Sequence, residues 1–381
     1  MKFFLSAGEP SGDLHGANLI RALLARVPDA HITALGGPRM QAAGAELLYP
    51  LTDLAVMWLG QVLRHWPTFV AVGQQALRHI RATRPDAVIL IDYPGFHFAL
   101  AQRLRPYGIP TYFFVPPQIW AWKQGRVRKV RKFFTGVLTA LPFEDDWYRR
   151  RRVNTYYVGH PYFDELARQQ LDPVFLAHQN AQPGLRVALL PGSRTKEVAA
   201  NGAMLVRAAQ LIHAARPDVR FLVAAFNARH ADAMRALLPS GVPIEVHTQR
   251  TPEIIALADA CVAVSGSVSL ELMYRAKPTV IVYKLAPLYR FCARQALKVP
   301  YITLVNLLAN QELYPELLTS RDESPRIAAH ILEWLNHPAQ RMALVRQLES
   351  LRDRVAQPGA CDRAAEYLLH AIASPQAPTA G

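Results

Sequence analysis

The apolar positions of the chain follow two rhythms. Short continuous runs at residues 2–6, 32–35, 87–91, 111–115 and 136–140 read as strands. Between them lie stretches with helical spacing: residues 14–26, where Leu14, Ala17, Leu23 and Leu24 recur, a turn at 40–43, a longer stretch at 66–83 stopped by Pro85, and residues 96–104. Run 87–91 has no polar position, as expected of a central parallel strand covered on both faces. The second half repeats the plan, with strands at 186–190, 221–225, 244–247, 261–264 and 279–283, and helices at 228–238, 252–258 and 269–276. Residues 325–373 read as all helical. Strands separated by helices of this length describe βαβ units. The expectation is therefore an α/β chain of two Rossmann-like, doubly wound domains facing a central cleft. The seam falls in the polar, Pro-punctuated stretch from Asp172-Pro173 to Gln182-Pro183-Gly184. The expected division is 1–170, 171–350, a helical segment 351–374 packing back across both domains, and a disordered tail at 375–381.

In open parallel sheets ligands sit at the carboxyl ends of strands, so the loops just after strands carry the candidate chemistry. Leu190-Pro191-Gly192-Ser193-Arg194 breaks a strand with Pro-Gly and then opens a helix. Backbone N–H groups, a helix N-terminus and a guanidinium there all favour an anion, phosphate first; an ordinary turn with a solvated Arg is the alternative. Ser265-Gly266-Ser267-Val268-Ser269-Leu270-Glu271 has the same form, with Glu271 one turn in, where it can accept hydrogen bonds from a ribose or simply serve the helix start. Two such loops in one domain favour a nucleotide diphosphate.

The first half offers three more loops. Gly8-Glu9-Pro10-Ser11-Gly12-Asp13 lets a ligand approach the backbone, but it is neither a Walker A loop nor a dinucleotide fingerprint, and Asp13 reads better as a helix cap. Asp92, in Ile91-Asp92-Tyr93-Pro94-Gly95, ends a buried strand. It is either a desolvated base or the cap of the next helix. Pro116-Pro117-Gln118-Ile119-Trp120-Ala121-Trp122 reads as an amphipathic element, core or surface, followed by Lys123, Arg126, Arg128, Lys129, Arg131 and Lys132. Asn306, with Gln311 and Glu312 beyond it, either reads a sugar or caps a helix.

Charge sharpens the choice of partner. The chain of 381 residues carries a formal net charge of +14, so an anionic partner is expected: nucleic acid, an anionic membrane or a phosphorylated substrate. The cations gather in two runs, residues 123–132 and Arg149 to Arg152, without an RNA-binding motif, which argues against nucleic acid. Hydrophobic residues make up 51%, a globular proportion. Cys261, Cys292 and Cys361 lack metal-ligand spacing and suggest a reducing compartment. The opening apolar run is too short for a signal peptide, and no window reaches the roughly twenty apolar residues of a spanning helix. One stretch is unusually apolar: Met57, Trp58, Leu59, Val62 and Trp66, with Phe69 beyond. Trp58, Val62 and Trp66 form a helical stripe, which is core in most proteins but beside basic runs can enter a bilayer interface. Each Lys or Arg near an anionic leaflet adds about 1 kcal/mol.

These motifs, together with Gly37-Pro38-Arg39-Met40, Leu141-Pro142-Phe143-Glu144, Val158-Gly159-His160-Pro161 and Asn306-Leu307-Leu308, occur in an order that resembles the lipid-A-disaccharide synthase family. The resemblance implies an inverting glycosyltransferase of the GT-B fold. It would transfer the diacylglucosamine unit of UDP-2,3-diacylglucosamine to the 6-hydroxyl of 2,3-diacylglucosamine 1-phosphate, giving a β-1,6-linked disaccharide 1-phosphate and UDP. It further implies Asp92 as general base, with Arg194 at the diphosphate, Glu271 at the ribose, and Ser267 and Asn306 lining the donor pocket beside Gly192, Ser193, Ser265 and Gly266. Glu9, Ser11, Gly12, Asp13, Gln61, Gln118, Trp120 and Trp122 fall on the acceptor side, and Met57, Trp58, Leu59, Val62 and Trp66 at the acyl chains or membrane. No metal and no cofactor are implied, and no Asp-x-Asp pair ends a strand. The expected setting is cytoplasmic, peripheral on the anionic inner-membrane surface, with a second copy of the chain as a further expected partner. The sequence departs from the family at Gln61, where Glu is usual, and at Pro116, where Ser is more frequent. A UDP-GlcNAc 2-epimerase or a peptidoglycan-type transferase shares the fold and is the rival reading.

Overall fold

In the computed structural model the described residues are 1–55, 66–284 and 298–374. They form two compact units, Met1–Ala167 with Gln357–Gly381, and Arg168–Ala356.

The first unit is built on seven parallel strands: β1 (Lys2–Ala7), β2 (His31–Leu35), β3 (Glu46–Tyr49), β4 (Ala87–Ile91), β5 (Thr111–Phe114), β6 (Gly136–Thr139) and β7 (Thr155–Tyr157), in the order β3-β2-β1-β4-β5-β6-β7. Strands β1 and β4 are neighbours, from Phe3 opposite Ala87 to Ala7 opposite Ile91. Alternation along them feeds two helical layers. Phe3, Leu5, Ile89 and Ile91 pack on one face, while Phe4, Val88 and Leu90 pack on the other. This is why 87–91 carries no polar residue: all five positions are buried.

The second unit has six parallel strands: β8 (Leu185–Leu190), β9 (Val219–Ala225), β10 (Ile244–Thr248), β11 (Ala260–Val264), β12 (Thr279–Lys284) and β13 (Glu316–Thr319), in the order β10-β9-β8-β11-β12-β13. The winding is the same as in the first unit. In each sheet the strand order reverses beside the first strand, between β1 and β4 and between β8 and β11, which makes those two places the topological switch points.

Three edge strands, β3, β7 and β13, are absent from the apolar pattern. Each has three or four residues and pairs on one side only, so none needs a continuous apolar run. The polar stretch expected as the seam is instead an α-helix, Pro173–Asn180, inside the second unit. Pro173 sits where a helix tolerates proline, and the Asp172 carboxylate accepts hydrogen bonds from the Val174 and Phe175 N–H groups. The expected helical segment 351–374 is likewise divided. Helix Pro338–Val355 lies in the second unit, whereas Ala360–Ala373 packs on helix Pro10–Arg26 in the first. Asp164 holds the start of that last helix by accepting from the N–H groups of Gly359, Ala360 and Cys361.

Candidate functional site

Four of the loops singled out in the sequence, those after β1, β4, β8 and β11, border the two switch points; the stretch after β5 and the one at Asn306 do not. After β1 comes the Gly-Glu-Pro-Ser-Gly-Asp loop. Its helix begins earlier than the spacing predicts, at Pro10, with exposed Glu9 in the N-cap position. Ser11 is exposed in the first turn. Gly12 is a packing residue: a Cβ there would stand 3.3 Å from Ala7 Cβ and 3.7 Å from the Ile91 carbonyl, so the glycine lets the helix approach the ends of β1 and β4. Asp13 is a cap, but not of its own helix. Its buried carboxylate accepts from the N–H groups of Gly37 (2.8 Å), Arg39 (3.1 Å) and Met40 (3.1 Å), at the start of helix Pro38–Ala42. That ties the loops after β1 and β2 together and leaves Asp13 little capacity for a substrate.

Asp92 follows β4. It does not cap the next helix, Pro94–Leu104, whose N-cap position belongs to Tyr93 and has no side-chain cap. Asp92 and Tyr93 both have φ of +49°, and Val115, just past the neighbouring strand β5, has +51°. Left-handed backbone at non-glycine residues is strained, most of all for a β-branched valine, and such strain gathers at functional sites. The Tyr93 ring lies against the Gly8 backbone, in space that any Cβ at Gly8 would fill. Burial raises the Asp92 carboxyl to about 6; the Glu9 charge adds to this and the Tyr93 N–H opposes it. A carboxylate with that affinity for protons is suited to general-base work near neutral pH.

Behind Asp92 lies His97, a residue the sequence reading did not select. It is fully buried, with Nδ1 2.6 Å from the Asp92 carbonyl oxygen and Nε2 2.8 Å from Ser6 Oγ. The available signal was a lone histidine between Phe96 and Phe98 on a helix facing the core.

The structure separates the tryptophan pair. Two residues apart on a helix, side chains point to opposite faces. Trp120 is 3% exposed and its Nε1 donates to Glu144 Oε1 at 2.9 Å. Glu144 is buried, which pushes its carboxyl up to about 8 despite hydrogen bonds from Trp120 and nearby backbone N–H groups. Trp122 is 50% exposed, with Lys123 Nζ 4.2 Å from its ring centroid and Arg126 also over it. Gln118 is exposed at the start of this short helix. Met57, Trp58, Leu59, Gln61 and Val62 lie outside the described residues, as does the side chain of Trp66.

In the second unit, Pro191-Gly192-Ser193-Arg194 follows β8 and opens helix Thr195–Ala215. Gly192 has φ of +107°, and a Cβ there would meet the Glu197 side chain. The anion-binding donors expected here are present, and the chain itself already supplies a carboxylate to them. Glu197 Oε2 accepts from the Ser193 and Arg194 N–H groups, both at 3.1 Å, and Oε1 from Arg194 Nη1 at 3.0 Å. The Arg194 side chain remains 76% exposed.

After β11, Gly266 and Ser267 are exposed and Ser265 is partly buried. Ser269 folds its hydroxyl back to the Gly266 carbonyl at 2.8 Å. Two residues expected at the donor have partners within the unit. Glu271 is buried and pairs with Arg275 at 3.2 Å, and Arg275 also reaches Gln169. Asn306 is fully buried. Its Nδ2 donates to the Tyr314 carbonyl and Glu316, and its Oδ1 accepts from the Leu313 and Tyr314 N–H groups. The amide is spent on holding the turn 310–314 against β13, which leaves it no donor or acceptor for a sugar.

The Lipid-A-disaccharide synthetase family model matches residues 3–370. The lipid-A-disaccharide synthase of Syntrophus aciditrophicus is 35% identical over 369 residues, 96% of each chain, and that of Chromohalobacter salexigens is 35% identical over 389 residues, 100% of each. Among solved structures, the UDP-GlcNAc 2-epimerase of Neisseria meningitidis bound to UDP-GlcNAc superposes with a TM-score of 0.66 at 13% identity, over 97% of this chain and 100% of that one. The glycotransferase of kitacinnamycin superposes with a TM-score of 0.62 at 18% identity, over 97% and 98%. At such identities the structures speak for the fold alone, GT-B. The sequence relatives decide between the enzymes that share it: this chain belongs to the lipid-A-disaccharide synthase family of UDP-sugar-dependent glycosyltransferases.

Proposed function

We propose that the chain transfers the 2,3-diacylglucosamine unit of UDP-2,3-diacylglucosamine to the 6-hydroxyl of 2,3-diacylglucosamine 1-phosphate. The acceptor oxygen attacks the anomeric carbon, the bond from that carbon to the β-phosphate oxygen breaks, and the anomeric configuration inverts. Asp92 takes the acceptor proton, and UDP leaves with the bonding pair. The observation that carries this reading is Asp92 itself: a carboxylate in strained backbone at a switch point, with its affinity for protons raised by burial. In the second unit, the exposed Arg194 guanidinium and the Ser193 and Arg194 N–H groups meet the diphosphate once Glu197 turns aside, and Ser265, Gly266 and Ser267 border the same ligand. Stabilising the leaving charge by cation and helix N-terminus requires no further group.

The acylated substrates reside in a membrane, and we assign the protein to its anionic surface on the cytoplasmic side. Half-exposed Trp122 with Lys123 and Arg126, continuing into the basic helix Val127–Phe133, supports this. Among the described residues no helix is long and apolar enough to cross a membrane. The test is mass spectrometry of products formed from mixed UDP-sugars and acceptor. A tetraacyl disaccharide 1-phosphate and UDP are expected. Equal turnover of unacylated UDP-GlcNAc, or its epimerisation, would contradict the assignment.

A further inference from the structure

We infer that His97 is a positioning residue for the general base, holding Asp92 in its strained conformation through a hydrogen bond to the Asp92 backbone. The inference rests on the reading of Asp92 as the base.

The hydrogen bonds determine the state of the ring. The Asp92 carbonyl only accepts, so at 2.6 Å the His97 Nδ1 must carry a proton. Burial holds the His97 pKa down, to about 4, so the ring is neutral and Nε2 is an acceptor. The Ser6 hydroxyl, at 2.8 Å and also buried, donates to it. Ser6 belongs to β1 and His97 to the helix after β4, so the imidazole bridges the two strands of the switch point. The Asp92 peptide is thus held from both ends: its N–H donates to the Phe114 carbonyl of β5 at 3.3 Å, and its C=O accepts from His97. Tyr93 and Phe113 pack against the ring edge-on, which fixes its plane. Asp92 and Tyr93 are successive residues at φ +49°, a pair that relaxes toward extended backbone unless something retains it. Relaxation would turn the carboxylate away from the acceptor without altering its chemistry.

Two substitutions separate this role from simple packing. Asparagine places its Nδ2 near the position of imidazole Nδ1 and keeps the donor to Asp92; glutamine places its amide near Nε2 and keeps only the Ser6 side. His97→Gln is expected to lower kcat ten- to a hundredfold with KM for the UDP-sugar within twofold. His97→Asn is expected to keep kcat within about threefold of the parent, even though both lose a buried ring and both melt at lower temperature. Equal loss of kcat in the two variants, or a change confined to KM, would overturn the assignment. A third measurement needs no variant: 15N NMR of the histidine-labelled protein should show His97 as the neutral Nδ1–H tautomer down to pH 5. The opposite tautomer, or a charged ring there, also overturns it. Asp92→Asn assayed in parallel distinguishes the two levels of the argument. Full activity in Asp92→Asn removes the base, and His97's role with it; an inert Asp92→Asn beside an unaffected His97→Gln removes only the inference made here.

Discussion

The two switch points share a topology and differ in how their polar groups are satisfied. After β4 in the first unit, the chain holds an incompletely solvated carboxylate on left-handed backbone, with burial working against its charge. After β8 in the second unit, the backbone donors are already bonded to a carboxylate of the same helix, and the cation stands in solvent. The first region gives up stability to keep a reactive group. The second is at rest without a ligand and has only to exchange one anion for another. Removing the key residue should therefore change different quantities in the two regions.

The largest effect is expected from Asp92→Asn. Turnover should fall by about 10²–10⁴-fold, the usual contribution of a general base, while UDP affinity stays within twofold. The same variant should be more stable at neutral pH. Because the folded carboxyl titrates near 6, above its ordinary 3.8, protonation favours the folded state. That contribution is full below pH 3.8 and is lost as the pH rises through about 6. Asparagine never ionises and tolerates left-handed backbone, so a gain of up to roughly 3 kcal/mol at pH 7.5 is expected, shrinking toward pH 4. Thermal melts at the two pH values check it, and a loss of stability at pH 7.5 would count against a desolvated carboxylate.

Arg194→Ala should act on binding instead. A charge-assisted contact is worth about 1.5–3 kcal/mol, so UDP affinity should drop tenfold or more by calorimetry. Smaller and opposite in sign is Glu197→Gln. Its carbonyl oxygen can still accept from the turn, but the competing charge is gone. An exposed ion pair is worth at most about 1 kcal/mol, so UDP should bind up to about fivefold tighter. Weaker binding would mean that Glu197 shapes the turn more than it competes with the ligand. The smallest effect is expected from Glu9→Gln, which removes the nearest charge opposing ionisation of Asp92. The acid limb of the pH–rate profile should move down by a few tenths of a pH unit, with little change at pH 8.

How far the sequence exposed this contrast depended on local chemistry. Interior strands were legible because both faces are buried, as at 87–91; edge strands β3, β7 and β13 were not, because each has only three or four residues, whereas the five-residue edge strand β10 was. The loops after β1, β4, β8 and β11 were legible because Gly, Pro and Ser break the chain just where strands end. What each polar side chain does there was less so. Asp13 caps a neighbouring helix, Asn306 pins a turn, Glu271 pairs with Arg275 and Trp120 meets Glu144. Asp13, Asn306 and Trp120 depend on partners that only folding brings close, whereas Glu271 and Arg275 are an i,i+4 pair whose spacing is in the sequence. His97 offered only a lone histidine between two phenylalanines, and Glu197, three residues after Arg194, stood where a capping box is read.

The most direct test of the central claim is the pH dependence of kcat/KM for the unaltered protein. If Asp92, titrating near 6 in the free protein, is the base, kcat/KM should be level above pH 7 and fall tenfold per pH unit below about 5.5. A kcat/KM that stays level from pH 8 down to pH 4.5 would contradict the account.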